Sequence, residues 1–506
     1  MRSRLAPWLF LTLILLSSLA LSEEAIRIGS QLELLVDEHL IAGKKGDIGL
    51  RLHQPTARNV ALTTDAPWEG NACHYRSVFQ DGSLYRMYYS GLHWQEGGEA
   101  EQALPSHPGL LLYAESRDGI TWKKPALGLV SFKGSSQNNI LLDPQALPEA
   151  GIDPAHFSVF KDENPACPPE ARYKALIVGK KPRGLFPFQS ADGLRFVPMQ
   201  KTPVITKGAF DSQNLAFWDS LRGEYREYHR DFLEKQRGIR TATSKDFRNW
   251  TEPVWLQFPG APEEQLYTNQ VQPYLRAPHI WLGFPMRYVD RGVTTATYDL
   301  PNPKLRKLLV DLNPRYGTTV TDGLFMSSRD GVSFKRWSEA FIRPGLEGEG
   351  QGRWFYGDNS PAWGLIETRS ESAPELKELS LFATEGYRTG TSLNVRRYSI
   401  RLDGFVSMQA SFRGGEFVTK PLIFQGSRLD LNFSTSAAGS IRIELQEPSG
   451  QPITGYTLAD SPEIFGDSLE RTARWNGGMD VGRLSGRPVK LRFALKDADL
   501  YSFRFR

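Results

Sequence analysis

The chain has 506 residues and a mass of 57.0 kDa, enough for two or three ordinary domains or for one large repeat array with a companion. Hydrophobic residues make up 40%, charged residues 23%, and mean hydropathy is −0.40, which excludes a disordered chain and describes a globular protein. A net charge of +4 gives no electrostatic case for a nucleic-acid binder, and two cysteines, Cys73 and Cys167, exclude both a disulfide framework and a cysteine-rich zinc site. Whether those two cysteines pair with each other stays open. Aromatics at 11%, with 46 glycines and 33 prolines, point to an all-β chain with many turns.

Arg2 and Arg4 precede an apolar run from Leu5 to Leu16, followed by Ser17-Ser18-Leu19-Ala20-Leu21-Ser22 and then Glu23-Glu24. A basic start, a short apolar core and small residues before a polar junction predict a secretory signal peptide over residues 1–22, cut near Ser22. The apolar stretch is shorter than the roughly 20 residues a membrane span needs, so export to the periplasm or medium is expected, with no membrane span. Residues 23–65 hold two strand-like segments, Leu32–Val36 and Leu50–Leu52, predicted to brace the domain that follows.

Over residues 66–411 a motif recurs: Ser116-Arg-Asp118-Gly119-Ile-Thr-Trp122, Ser190-Ala-Asp192-Gly193-Leu-Arg-Phe196, Ser244-Lys-Asp246-Phe247-Arg-Asn-Trp250 and Ser328-Arg-Asp330-Gly331-Val-Ser-Phe334. A fifth copy is Ser399-Ile-Arg-Leu-Asp403-Gly404-Phe405. Each reads as a strand ending in Ser, an Asp-centred turn and a strand opening near an aromatic, and a β-rich strand pair lies upstream of each. Five units of four strands predict a five-bladed β-propeller, which protects its sheet edges by radial repetition. From residue 412 to 506 four alternating segments, Leu429–Phe433, Ile441–Leu445, Val489–Phe493 and Tyr501–Phe505, predict a small antiparallel β-sandwich. Helix signals are almost absent.

In a propeller, the starts of the inner strands and the ends of the second strands converge on one funnel. Read in register, those positions offer Glu69, His74, His156, Asp211, Asn214, Asn269, Asp358, Arg230, Asp231, Arg287 and Glu385. Two carboxyl groups facing each other across a sugar ring are the minimum for glycoside hydrolysis, which makes Asp211, Glu385, Asp358, Asp231 and Glu69 the catalytic candidates. Plainer roles stand beside four of them: a turn cap for Asp211 and Asp358, an exposed loop residue for Glu69, and an ion-pair partner of Arg230 for Asp231, whereas a carboxylate ending a strand, as Glu385 does, is not expected in a core. Arg230, Arg240 and Arg287 are candidates for binding a uronate or sulfate, or else for pairing with neighbouring carboxylates. Asn214, Asn269, His74, His156 and Tyr267 complete the substrate-binding set; Tyr267, with Trp68, Trp94, Tyr288 and Trp354, is a loop aromatic available to stack on sugar or to join the blade core, where most of the aromatics are expected. No cofactor is required; His74 and His156 share an inner-strand position, which leaves a channel metal as an option.

No phosphate-binding loop, dinucleotide fingerprint, zinc-protease helix or nucleophile elbow occurs. The segments Leu35-Val-Asp37-Glu-His-Leu-Ile41, Leu52-His53-Gln-Pro55, Pro67-Trp68-Glu69, Phe210-Asp211-Ser-Gln-Asn214, Leu402-Asp-Gly-Phe-Val-Ser407 and Asp499-Leu-Tyr-Ser-Phe503 carry a resemblance. They look like the five-bladed glycoside hydrolases of families 32 and 43, particularly the secreted family 32 N-terminal-like proteins of planctomycete-type bacteria. The resemblance implies a propeller with an appended sandwich, acting on carbohydrate. The invertase motifs Trp-Met-Asn-Asp-Pro-Asn-Gly, Arg-Asp-Pro and Glu-Cys are missing, so no catalytic residue carries over. The expectation is a secreted glycoside hydrolase using Asp211 with Glu385 or Asp358 on a neutral or anionic glycan. A non-catalytic carbohydrate-binding propeller and an extracellular protein–protein scaffold are the alternatives.

Overall fold

The computed structural model describes residues 24–95, 104–348 and 353–506; the predicted signal segment lies outside them. The protein is mostly β. Five antiparallel sheets follow one another along the chain, their strands in sequential order apart from one strand added to the first and one to the fifth. The first holds Arg76–Asp81, Leu84–Gly91, Leu110–Ser116 and Trp122–Lys123, with Ile140–Leu142 added. The second holds Ile152–Lys161, Tyr173–Lys180, Arg183–Ser190 and Val197–Pro198, and the third Leu215–Asp219, Glu224–Leu233, Gln236–Ser244 and Val254–Trp255. The fourth holds Gln272–Tyr274, Ala277–Gly283, Met326–Ser328 and Phe334–Arg336. The fifth takes Ile366–Arg369, Lys377–Glu385 and Asn394–Arg401 and is completed by Thr56–Thr63 from the far end of the chain.

Local chemistry sets the hairpins between third and fourth strands. In the first sheet Asp118 Oδ1 accepts from the Ile120 and Thr121 amides, both at 2.8 Å, while Ser116 Oγ accepts from Gly119 N at 2.9 Å. The same bonds recur around Asp192, Asp246 and Asp330. The residue after each aspartate is left-handed, which suits Gly119, Gly193 and Gly331; Phe247 adopts φ 64° at the third copy and buries its ring. Burial works to raise the Asp192 carboxyl, but the Arg195 and Leu194 amides outweigh it and hold it at about 2. The fifth copy does other work. Fully buried Asp403 accepts from Tyr274 of the fourth sheet at 2.6 Å and from Ser502 at 2.9 Å, stitching the repeat to the C-terminal region.

The first strands of the five sheets gather round a common centre. Gln213 Nε2 donates to Arg76 O, and Gln270 Nε2 donates to Gln213 Oε1 and Pro361 O. Val159 N donates to Ser77 Oγ, and Val78 and Trp363 exchange backbone bonds with the opposing strand. The fifth sheet thus meets the first. Gly364 lies at that seam with φ 119°, where a Cβ would sit 1.8 Å from Val78 O.

Three features differ from the sequence expectation. Three helices, α1 (Thr295–Asp299), α2 (Pro303–Leu312) and α3 (Pro314–Thr318), interrupt the fourth unit. Their signals are terminal: a Thr294 capping box, and prolines at the first position of α2 and α3. The segments flanking the insertion, Met286–Asp290 and Thr319–Gly323, pair in a separate three-stranded sheet with Gln265–Leu266, so Arg287 does not lie on the fourth sheet's second strand. Lastly, the four predicted C-terminal strands are two long ones, Leu429–Gln446 and Pro488–Phe505, whose pairing is interrupted between Thr435 and Ser440. They join Val406–Thr419, Leu422–Phe424 and Asp467–Thr472 in an eight-stranded sheet that also takes in Ile26–Gly29, Glu33–Leu34 and Ile41–Leu52. Those N-terminal strands therefore extend the C-terminal sheet, and only Thr56–Thr63 completes a repeat. No described helix is long and apolar enough to cross a membrane.

Candidate functional site

A cavity of about 200 Å³ opens where the first strands of the repeats begin. His74 and Tyr75 precede the first strand of the first sheet, and His156 sits within that of the second. Asp211 precedes the third sheet, Tyr267 the fourth, and Tyr356 the fifth. Tyr387 and Arg388 follow the second strand of the fifth sheet, Arg315 and Tyr316 come from α3, and Trp94 closes one side. His74, His156 and Asp211, which the sequence offers at equivalent strand starts, and Tyr267, which it offers as a loop aromatic, line this one cavity. Missing from the sequence reading were Tyr75, Tyr356, Tyr387, Arg388, Arg315 and Tyr316. The first four adjoin or lie within two or three residues of chosen positions and were within reach of the same register. Arg315 and Tyr316 depend on the helical insertion and carried no signal.

The walls are aromatic. The His74 ring stacks on Tyr75, with centroids 4.8 Å apart and planes 11° from parallel, and meets Tyr387 at 5.0 Å. Tyr75 also contacts His156 at 5.4 Å, and Tyr356 stands edge-on to Tyr267 and Tyr387. His74 is 5% exposed, and its Nε2 has no hydrogen-bond partner. Burial, with lesser repulsion from Arg76 and His156, pushes the imidazole down to about 3, so it is neutral at physiological pH. Burial likewise lifts the Tyr75 and Tyr356 phenols well above their ordinary value and keeps them protonated donors. His156 Nδ1 lies 3.2 Å from Asp153 Oδ2.

Asp211 is the carboxylate of the cavity wall. Its side chain is 67% exposed and pairs with Arg230, which is 2% exposed and lies over the Tyr267 face at 4.7 Å. Burial opposes the Arg230 charge, but Tyr267 and Asp211 outweigh it and raise its pKa.

The other predicted acids are engaged elsewhere. Glu69 is fully buried and accepts from Tyr89, the Ala66 amide at 2.8 Å and Lys124 at 2.7 Å. Asp358 is fully buried beneath Tyr356 and Tyr387, accepting from the Tyr387 and Phe355 amides; burial outweighs those bonds and raises its pKa well above the carboxylate range. Glu385 is held by Arg396, with Arg353 3.6 Å away, and Asp231 lies 3.4 Å from Arg240. Arg240 also covers the Trp255 face. Arg287 grips both oxygens of Asp322 and one of Glu264. Asn214 donates to the Phe210 and Ser212 carbonyls, and Asn269 to that of Tyr228. Cys73 and Cys167 are both free thiols, and burial pushes Cys73 up to about 12. Among the described residues no group of three or more His, Cys, Asp or Glu side chains is placed to hold a metal.

No family model matches the chain. It is 37% identical over 79 residues to the uncharacterized protein Rv1502 of Mycobacterium tuberculosis H37Rv, a stretch covering 15% of this chain. The same figures hold for the uncharacterized protein MT1551 of strain CDC 1551, and the matched stretch spans 24% of the length of each relative. Among solved structures, the fold is similar to the catalytic domain of the Coprinopsis cinerea GH62 α-L-arabinofuranosidase, with TM-score 0.42 and 10% identity over 69% of this chain and 99% of that one. The α-L-arabinofuranosidase PaAbf62A of Podospora anserina, solved with cellotriose, gives TM-score 0.41 and 8% identity over 69% and 98%. A glycosyl hydrolase from Bacteroides ovatus gives 0.41 and 12% over 70% and 94%. These structural neighbours are glycoside hydrolases.

Proposed function

We propose that the five sheets are the blades of a five-bladed β-propeller followed by a β-sandwich, and that the protein is an exported glycoside hydrolase. The carrying observation is the convergence of His74, His156, Asp211 and Tyr267, from four successive repeats, on one cavity walled by tyrosines. Stacked aromatic faces beside a few fixed polar groups are what a sugar ring requires. At about 200 Å³ the cavity is smaller than drug-sized sites of roughly 300–1,000 Å³ and suits a single sugar unit at a chain end. Hydrolysis needs two proton-handling groups. Asp211 supplies the carboxylate as base or nucleophile, and His156, backed by Asp153, supplies the proton to the leaving oxygen.

A second reading, a carbohydrate-binding propeller without catalysis, is favoured by one observation: of the five candidate carboxylates only Asp211 lines the cavity. Reducing-sugar release by the chain lacking residues 1–22, across neutral, uronate-bearing and sulfated polysaccharides, separates the two. Release from one glycan that falls by about 10²–10⁴ in Asp211→Asn and His156→Gln supports the hydrolase. No release from any glycan, with one of them still raising the melting temperature, supports the binding propeller.

A further inference from the structure

The three arginines that the sequence offers for an anion are occupied within the protein: Arg230 by Asp211, Arg240 by Asp231, and Arg287 by Asp322 and Glu264. A further guanidinium on the cavity is that of Arg315 on α3. Arg388 lies over the Tyr316 face at 4.6 Å and that of Trp94 at 5.2 Å. Arg315 is exposed at the rim, and the groups that act on its charge, after burial, are tyrosines: Tyr316, Tyr288 and Tyr356. Among the described residues no carboxylate pairs with it. The one acid on the wall, Asp211, is already neutralised by Arg230. Deeper in, His74 Nε2 is buried without a partner, an arrangement that costs free energy until a ligand hydroxyl meets it.

We infer that the cavity takes a terminal sugar that carries a carboxylate, the uronic-acid end of a glycan. Arg315 pairs with the sugar carboxylate, the tyrosine faces hold the ring, and His74 Nε2 accepts from a ring hydroxyl. A planar guanidinium matches a carboxylate in bidentate fashion, which a neutral sugar end cannot exploit. The inference rests on the carbohydrate reading above and narrows it to one substrate class.

The test is binding, which needs no turnover. Uronate-terminated oligosaccharides from pectin, alginate and glycosaminoglycans are compared by calorimetry with the same oligosaccharides after reduction of each carboxylate to a primary alcohol, and with sulfated neutral oligosaccharides. One uronate series should bind at least about tenfold more tightly than its reduced counterpart, and more weakly as salt rises from about 0.05 to 0.5 M. Arg315→Gln, at an exposed position, should remove that advantage and leave binding of the reduced form unchanged. His74→Phe should weaken both forms. Equal binding of the acidic and reduced forms, tighter binding of a sulfated sugar, or indifference to Arg315→Gln overturns the inference while the carbohydrate reading stands. Failure of every oligosaccharide to bind overturns both.

Discussion

Replacing Glu69 by alanine separates a structural carboxylate from a catalytic one. The side chain is fully buried, and its oxygens take the Tyr89 hydroxyl, the Ala66 amide and the Lys124 ammonium. Lys124 keeps Asp65 at 2.8 Å and the Thr63 carbonyl at 2.6 Å, so it loses little. Tyr89 still accepts from Asn139 but its own proton is left without an acceptor, and the Ala66 amide is stranded. A buried donor deprived of its partner costs about 1–3 kcal/mol, and with Tyr89 fully buried and Ala66 half-buried the expected loss is about 2 kcal/mol. Urea unfolding should show a lower midpoint with the slope unchanged. Below its transition, Glu69→Ala should bind and process glycan as the parent does, because Glu69 does not line the cavity. A stability within about 0.5 kcal/mol of the parent, together with abolished glycan processing, would falsify the reasoning and return Glu69 to the catalytic set.

Two further outcomes follow from the geometry. His74 titrates at about 3 in the fold against 6.5 for the free side chain, so the unfolded state binds the extra proton; stability is retained above pH 6.5 and lost as pH falls from there towards 3. His74→Phe should flatten the dependence of the melting temperature on pH across that interval, and an unchanged slope refutes the assignment. At the seam between the fifth and first sheets, Gly364→Ala forces a Cβ against a backbone oxygen at 1.8 Å with φ at 119°. It should cost more than about 3 kcal/mol in chemical denaturation, and a neutral result would mean that the seam is not closed as described.

What could be read from the chain alone was local. The Ser-x-Asp-Gly turns are legible because every bond of the motif spans three residues or fewer, so composition and spacing suffice. Strand alternation follows from the same short-range rules, as does the register in which His74, His156 and Asp211 stand at equivalent positions. The α-helical insertion was missed because its apolar periodicity is brief and its signals are confined to caps.

Partner choice was decided only by the tertiary structure. Thr56–Thr63 completes a sheet more than three hundred residues away, and Glu33–Leu34 pairs near the C-terminus. Nothing in either segment names its partner, since a strand's pattern states which face is buried but not against what. The same holds for charge. Asp211, Glu69, Asp358, Glu385 and Asp231 look alike in sequence and all are held by amides, hydroxyls or cations, yet of the five only Asp211, paired with Arg230, also lines the cavity. Whether a carboxylate is available for chemistry depends on which donors lie within hydrogen-bond reach in space, and that is fixed by packing between segments distant in the chain.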